Sequence, residues 1–287
     1  MKKLLSLLLI AVITFGAQAQ DKKFQMGLVF GPTFNWTKIQ TNKIERNGIG
    51  NGFTIGVGGN YLFDDNIGLA SGIQFDLESF SLNYGSSTNT ALGDVFYAFA
   101  DTDIQKFDEE SGRVEDFTDT TAFSLQTRKF RAKYVTIPLF LKFQTNMIGQ
   151  FKYYGKFGLR TSFLAGVRMD DTGYQADYDP DAGTFERINT NTLTMENMKP
   201  VAVKKGLALV RTGIGIYGGA EWNFTGNTFL YSEIGFNYGI TPALYQRSSH
   251  LVDKVEDTSN PGTYNYSQLD IKNNPQHIIE LKIGLLF

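Results

Sequence analysis

The sequence predicts an all-β protein, an eight-stranded antiparallel up-and-down transmembrane β-barrel with long extracellular loops. Three observations carry that prediction. Residues 277–287 (HIIELKIGLLF) alternate with a period of two: Ile279, Leu281, Ile283, Leu285 and Phe287 share one face, and Ile278, Glu280, Lys282, Gly284 and Leu286 the other. So apolar a strand would leave a sticky edge in an open sheet, whereas a barrel pairs its last strand with its first. Seven earlier segments repeat the alternation, and the connections between all eight are short and long by turns, as in barrels with periplasmic turns and external loops.

The first strand spans residues 24–36, with Phe24, Met26, Leu28, Phe30, Phe34 and Trp36 outward. A polar loop covers 37–51, and the second strand, 53–63, presents Phe53, Ile55, Val57, Tyr61 and Phe63. Asp64-Asp65-Asn66 has turn chemistry. The third strand turns Ile67, Leu69, Ile73, Phe75 and Leu77 outward; near Ser79 its parity is read as flipping, and Phe80, Leu82 and Tyr84 suggest a bulge or the strand leaving the membrane. A long loop, 85–129, follows. The fourth strand, 134–144, carries Pro138 inward, and proline lacks a ladder donor, so pairing should break there. After a turn at 145–150, the fifth strand, 152–168, sets Lys152, Lys156, Arg160 and Arg168 on one parity. A second long loop, 169–206, leads to the sixth strand at 208–224; a turn at 225–227 precedes the seventh at 228–241. The third long loop is 243–276. Phe24, Phe63, Phe143, Tyr153, Trp222, Phe224 and Phe287 should form the inner aromatic girdle.

Composition narrows the class further. Lys2 and Lys3, an apolar run over 4–15 and Ala17-Gln18-Ala19 make residues 1–19 a secretory signal peptide, leaving 20–287 as one barrel domain. There is no cysteine, which excludes a lipoprotein anchor and disulfides. No later apolar run reaches the roughly 18 residues of a membrane helix. The net charge of −2 gives nucleic acid nothing to bind.

The inward parity collects ten charges: Asp76, Glu78, Lys142, Lys156, Arg160, Arg211, Glu221, Glu233, Glu280 and Lys282. An eight-stranded barrel has an interior only wide enough for side chains, so these must pair. They are expected to form a lumen polar network that plugs the barrel. The chain's two histidines are His250, beside Ser248 and Ser249, and His277, expected exposed at the membrane surface. Neither adjacency makes a catalytic dyad without geometry, so no catalytic residue is assigned. Asp177-x-Asp179-x-Asp181 begins like a calcium loop, but Ala182 and Ile188 stand where glycine and the bidentate glutamate are needed. No metal or cofactor is assigned; the segment reads as a solvated turn, with a looser calcium or lipopolysaccharide-bridging cation site as the alternative.

The motifs of several strands resemble a known family. YVTIPLFLKF at 134–143, Gly213-Ile214-Gly215-Ile216-Tyr217-Gly218-Gly219, Asn237-Tyr238-Gly239-Ile240-Thr241 and the terminal Phe287 are similar to the PorT-like outer-membrane β-barrel family of Bacteroidota. The resemblance implies an eight-stranded barrel in the cell outer membrane, with Phe287 as the assembly signal read by the barrel assembly machinery. It also implies, for some members, a part in type IX secretion. The long loops match nothing in that family. They are rich in acids and aromatics, and Phe96, Tyr97, Phe99, Tyr178 and Tyr264 are the expected binding anchors for another outer-membrane protein or a surface glycan. The reading is a scaffold, adaptor or surface-binding barrel surrounded by outer-membrane lipid. A small-solute or ion pathway is the alternative, and an outer-membrane enzyme the second.

Overall fold

The computed structural model describes residues 23–41, 43–84, 94–100, 103–115, 121–198 and 206–287; the expected signal peptide lies outside them. Backbone groups facing lipid have no water to bond, so a sheet that spans a bilayer must close on itself. Strands β1 (Phe24–Thr37), β2 (Ile44–Leu62) and β3 (Ile67–Tyr84) open the chain. Four short strands follow, β4 (Val95–Ala100), β5 (Asp103–Ile104), β6 (Phe107–Asp108) and β7 (Arg113–Val114). Next come β8 (Thr121–Gln144), β9 (Phe151–Asp179), β10 (Thr184–Met198), β11 (Val210–Thr225) and β12 (Thr228–Gly239). The last are β13 (Arg247–Glu256), β14 (Tyr264–Asp270) and β15 (Gln276–Leu286).

Eight of these form a closed antiparallel ring in the order β1, β2, β3, β8, β9, β11, β12, β15 and back to β1. The seam pairs Leu28 with Leu285 and Phe34 with Ile279. Met26 and Phe287 exchange both backbone hydrogen bonds across it, at 2.9 and 2.8 Å. Every ring strand turns large apolar residues outward and exposed over the membrane span, among them Phe30, Ile55, Phe75, Leu139, Phe157, Ile216, Ile234 and Ile283. One end is closed by tight turns, in one of which Asp64 Oδ1 accepts from the amides of Asn66 and Ile67, both at 2.8 Å. Deleting Leu285, Leu286 and Phe287 removes the seam's last pairs, and an unclosed barrel exposes a strand edge. The expected result is a loss of heat-modifiable protein from outer-membrane fractions; unchanged levels would contradict it.

The opposite end departs from the sequence reading. Among the described residues the three long loops are largely strand. β8 and β9 run 24 and 29 residues, far past the 9–11 that cross a bilayer, and stay hydrogen-bonded from Gln144↔Tyr154 to Ala122↔Ala176. Beyond the membrane β4 replaces β3 beside β8, β13 pairs with β4, β14 with β13, and β10 with β9. The 37–51 segment is likewise shorter than expected, since β2 begins at Ile44.

This second body, the head, is built on two apolar clusters. One fills the external mouth of the barrel and includes Ile44, Leu82, Tyr97, Phe123, Phe130, Met169, Leu207 and Leu244. The other, with Phe96, Phe107, Tyr178, Phe185 and Val252, lies on the opposite face of β4. β4 is therefore buried on both sides, which explains its unbroken apolar run.

The head also explains two misreadings. Phe80, Leu82 and Tyr84 keep the same inward parity as Asp76 and Glu78; the strand does not flip, but the interior changes from polar to apolar at the membrane surface. The bulge in this region falls on β2, between Asn47 and Asn51. On β9 a one-residue bulge lies between Leu164 and Gly166, against Tyr134 and Lys133 of β8. It reverses parity beyond that point, so Met169 and Asp171 turn inward and Arg168 does not join the lumen charges. At Pro138 the β3–β8 ladder skips Pro138 and Ile137, and the Ser71 hydroxyl donates to the Pro138 carbonyl at 2.8 Å.

Candidate functional site

Within the ring, alternation brings all ten inward charges into contact with an opposite charge. Arg160 of β9 bridges Asp76 of β3 at 2.6 Å and Glu280 of β15 at 3.1 Å, and Lys282 reaches Glu280 at 2.8 Å. Arg211 holds Glu78 by two guanidinium bonds of 3.1 and 2.8 Å. Lys156 meets Glu233 at 2.6 Å, and Lys142 is bonded to Glu221. Hydroxyls add donors at two of the carboxylates: Thr54 donates to Asp76 at 2.5 Å, Thr136 donates to its other oxygen, and Tyr217 donates to Glu280 at 2.5 Å. Lys142 and Glu280 are wholly buried. Cavities beside Glu233 and beside Arg160 measure about 50 and 10 Å³, room for a few waters at most. Above Arg211, whose guanidinium lies 3.8 Å from the ring centre of Tyr134, the apolar cluster of the head begins.

The inward glycines complete this packing. Tyr217, Tyr154 and Tyr231 stand in register with Gly235, Gly219 and Gly284 on the neighbouring strands. Tyr217 lies across Gly235 and reaches Glu280, the next residue at the same level. A Cβ on Gly235 would stand 1.8 Å from Cδ1 of the Tyr217 ring. Gly235→Val should therefore displace Tyr217 from Glu280 and lower the unfolding free energy of the barrel, read from urea unfolding, by an overpacking cost of about 1–3 kcal/mol. Partial recovery in a Gly235→Val, Tyr217→Ala double variant is expected; equal stability of Gly235→Val and wild type would refute the slot.

The expected loop anchors are placed differently. Phe96 and Tyr97 are fully buried on opposite faces of β4, and Tyr178 is buried against Phe185 with its hydroxyl accepting the Val114 amide proton at 3.0 Å. These three are core residues, not exposed anchors, because the loops fold on each other. Phe99 packs partly buried on the first cluster. Of the five, Tyr264 is exposed, with Lys254 over its ring at 4.3 Å. The sequence reading missed the ion pair at the centre of the head, Arg128 with Asp171, joined by two bonds of 2.8 and 2.6 Å. Burial disfavours the charge on Arg128, but Asp171 outweighs it and holds the guanidinium pKa above its ordinary range. Burial pushes the phenol of Tyr84 up, and burial reinforced by Asp171 does the same at Tyr97.

The histidines and the acidic repeat are also settled in place. Ser249 Oγ lies 3.0 Å from Nδ1 of His250, and Ser249 is buried. His277 is not exposed as expected; Trp36, Phe236 and Tyr238 surround its ring. Asp179 Oδ1 accepts from the amides of Asp181 and Ala182 at 2.8 and 3.0 Å, so its carboxylate closes the β9–β10 turn.

A family model described as "Outer membrane protein beta-barrel domain" matches residues 17–245. No curated relative matches the sequence. Among solved structures, the OprG outer membrane protein of Pseudomonas aeruginosa is 11% identical, with a TM-score of 0.41, over 93% of this chain and 97% of that one. Ail of Yersinia pestis, in complex with the heparin analogue sucrose octasulfate, is 10% identical, with a TM-score of 0.33, over 92% and 99%. The outer membrane protease OmpT of Escherichia coli is 13% identical, with a TM-score of 0.32, over 93% and 97%. Likenesses this distant carry neither a ligand nor an activity across.

Proposed function

The chain belongs to the outer membrane protein β-barrel domain family, and on that premise we propose that it is a surface-binding adaptor, with the barrel as a sealed anchor and the head as the binding part. The observation that carries this is the division of the molecule. Each of the ten lumen charges meets an opposite charge, while the three long insertions build a folded body with its own apolar core outside the membrane. A transport route needs hydrated space along the axis; a binding module needs a rigid exposed surface. Candidate contacts are Tyr264, Val255, Ile188 and Leu193, all exposed. They lie on β13, β14 and β10, and β10 and β14 are the end strands of the sheet. The partner is another outer-membrane protein or a surface glycan. The PorT-like strand motifs support an accessory place beside type IX secretion.

The test replaces surface residues only. Deleting 94–117 would remove core residues Phe96, Tyr97 and Phe107 and unfold the head. A Tyr264→Ala, Ile188→Ser, Leu193→Ser variant should keep a heat-modifiable barrel and lose the companion that wild type retains in a native, cross-linked pull-down from outer membranes. An identical companion set would overturn the assignment of the surface. In planar bilayers wild type is expected to stay electrically silent, and a stable conductance would favour the solute-pathway reading instead. A hydrolytic activity abolished by His250→Ala would favour an enzyme.

A further inference from the structure

The outward face of the barrel carries a feature that neither lumen nor head explains. On β8 the outward residues Phe143, Leu141, Leu139, Ile137 and Val135 are apolar, and the next three, Lys133, Arg131 and Lys129, are all basic. Nine residues of tilted strand match an apolar band of roughly 25 Å, so the three cations stand where the hydrocarbon ends. The parity reversal in β9 turns Arg168 to the same side, directly opposite Arg131 in the ladder. Two cationic side chains in cross-strand register repel one another. Asp170 offsets part of this, through a 2.6 Å bond to Arg131.

The arrangement is held by β10. Asn197, in the left-handed region at φ 63°, makes three separate contacts there. Its amide donates to Asp170 at 2.8 Å, its side-chain oxygen accepts from Arg131 at 3.2 Å, and its carbonyl accepts from Arg168 at 3.4 Å. A non-glycine residue keeps such a backbone only where its surroundings hold it. Immediately beside the cations a groove runs across the lipid-facing surface. In ladder order Phe34, Asn51, Ser79 and Arg131 stand at one level and Pro32, Phe53, Leu77 and Lys133 at the level below. The short side chains of Asn51 and Ser79 make the depression, with Phe34 and Phe53 on its far wall.

We propose that this groove is a binding site for one phosphorylated lipid of the outer leaflet, with an acyl chain along Phe34, Phe53 and Leu77 and the headgroup phosphate on Arg131, Lys133 and Arg168. The groove sets an apolar wall beside a cationic one at the end of the apolar band, and such a lipid carries its acyl chains and phosphate next to one another in the same way. The fork of an arginine suits a phosphate, and its bonds there are charge-assisted. Inorganic phosphate would satisfy the cations without using the groove.

The experiment uses the full-length barrel in detergent and native mass spectrometry. The probes are a phosphorylated lipid A, the same lipid after phosphatase treatment, and inorganic phosphate as competitor. Wild type should retain one phosphorylated lipid per barrel, and retention should fall at least about tenfold, or 1.4 kcal/mol, in Arg131→Gln with Arg168→Gln. Lys133→Gln, at a side chain with no hydrogen bond among the described residues, guards against a folding defect and should weaken binding in the same direction. Arg46→Gln, exposed on the external part of β2, should leave it unchanged. Equal retention of the dephosphorylated lipid, undiminished binding by the double variant and Lys133→Gln, or complete displacement by millimolar inorganic phosphate would overturn the proposal.

Discussion

Arg160→Ala should lower the unfolding free energy of the barrel by about 3–5 kcal/mol, the cost of leaving a buried ion pair without one partner. Arg160 is 2% exposed and touches two carboxylates from different strands. Its removal leaves Asp76 with only the hydroxyls of Thr54 and Thr136, and Glu280 with Lys282 and Tyr217. The loss should therefore be felt mainly at Asp76. Adding Asp76→Asn to the variant should recover a part of it, because a neutral amide no longer needs the cation. Urea unfolding of the barrel in lipid vesicles measures both. A change below about 1 kcal/mol in the single variant, within the range of exposed pairs, would mean that water already screens this site.

Arg128→Ala should act elsewhere and leave the ring intact. Asp171 is fully buried, and Arg128 is its bidentate partner. The guanidinium also lies 5.4 Å from the ring centre of Tyr97 and 6.0 Å from that of Tyr84. Without it a carboxylate is stranded between two phenols in an apolar cluster, again at a cost of about 3–5 kcal/mol. That is a large share of what can hold the head together, so limited proteolysis on intact cells should cut the head while the barrel keeps its heat-modifiable migration. Arg128→Met with Asp171→Leu should restore resistance, since well-packed apolar replacements often match a buried pair. Protease resistance of Arg128→Ala equal to wild type would remove the pair from any structural role.

The barrel was legible because lipid imposes one rule on every strand. Outward residues must be apolar and inward ones need not be, so Ile279, Leu281 and Ile283 against Glu280 and Lys282 disclose their faces directly. The same reasoning stopped at the membrane surface. At Phe80 and Leu82 the interior itself turns apolar, and a period-two reading takes the change of environment for a change of parity. Arg168 was misplaced by a single inserted residue, which alternation cannot detect although it reverses every side chain beyond it. The head was hidden for another reason. Phe96, Tyr97 and Tyr178 are equally apolar as core or as contact surface, and which one they are depends on pairings between segments far apart in the chain. One signal was readable: Lys129-Phe130-Arg131-Ala132-Lys133 alternates basic with apolar residues, which a strand leaving lipid with a cationic outer face would do.

The continuity of β8 and β9 from one side of the membrane into the head has a mechanical consequence. β9 alone spans roughly 95 Å of contour at about 3.3 Å per residue. A pull on the head along these strands is shared by the whole run of backbone bonds between them, from Ala122↔Ala176 down to Gln144↔Tyr154. Those bonds are strained sideways together and are not opened one after another from an end. With β10 and β13 joined to the same sheet, traction from a bound surface or a moving partner is delivered straight into the lipid-embedded wall. If the head is the binding part proposed above, it would be a tether stiff along its strands, giving way first across them, where among the described residues β14 is held by β13 alone in the ladder.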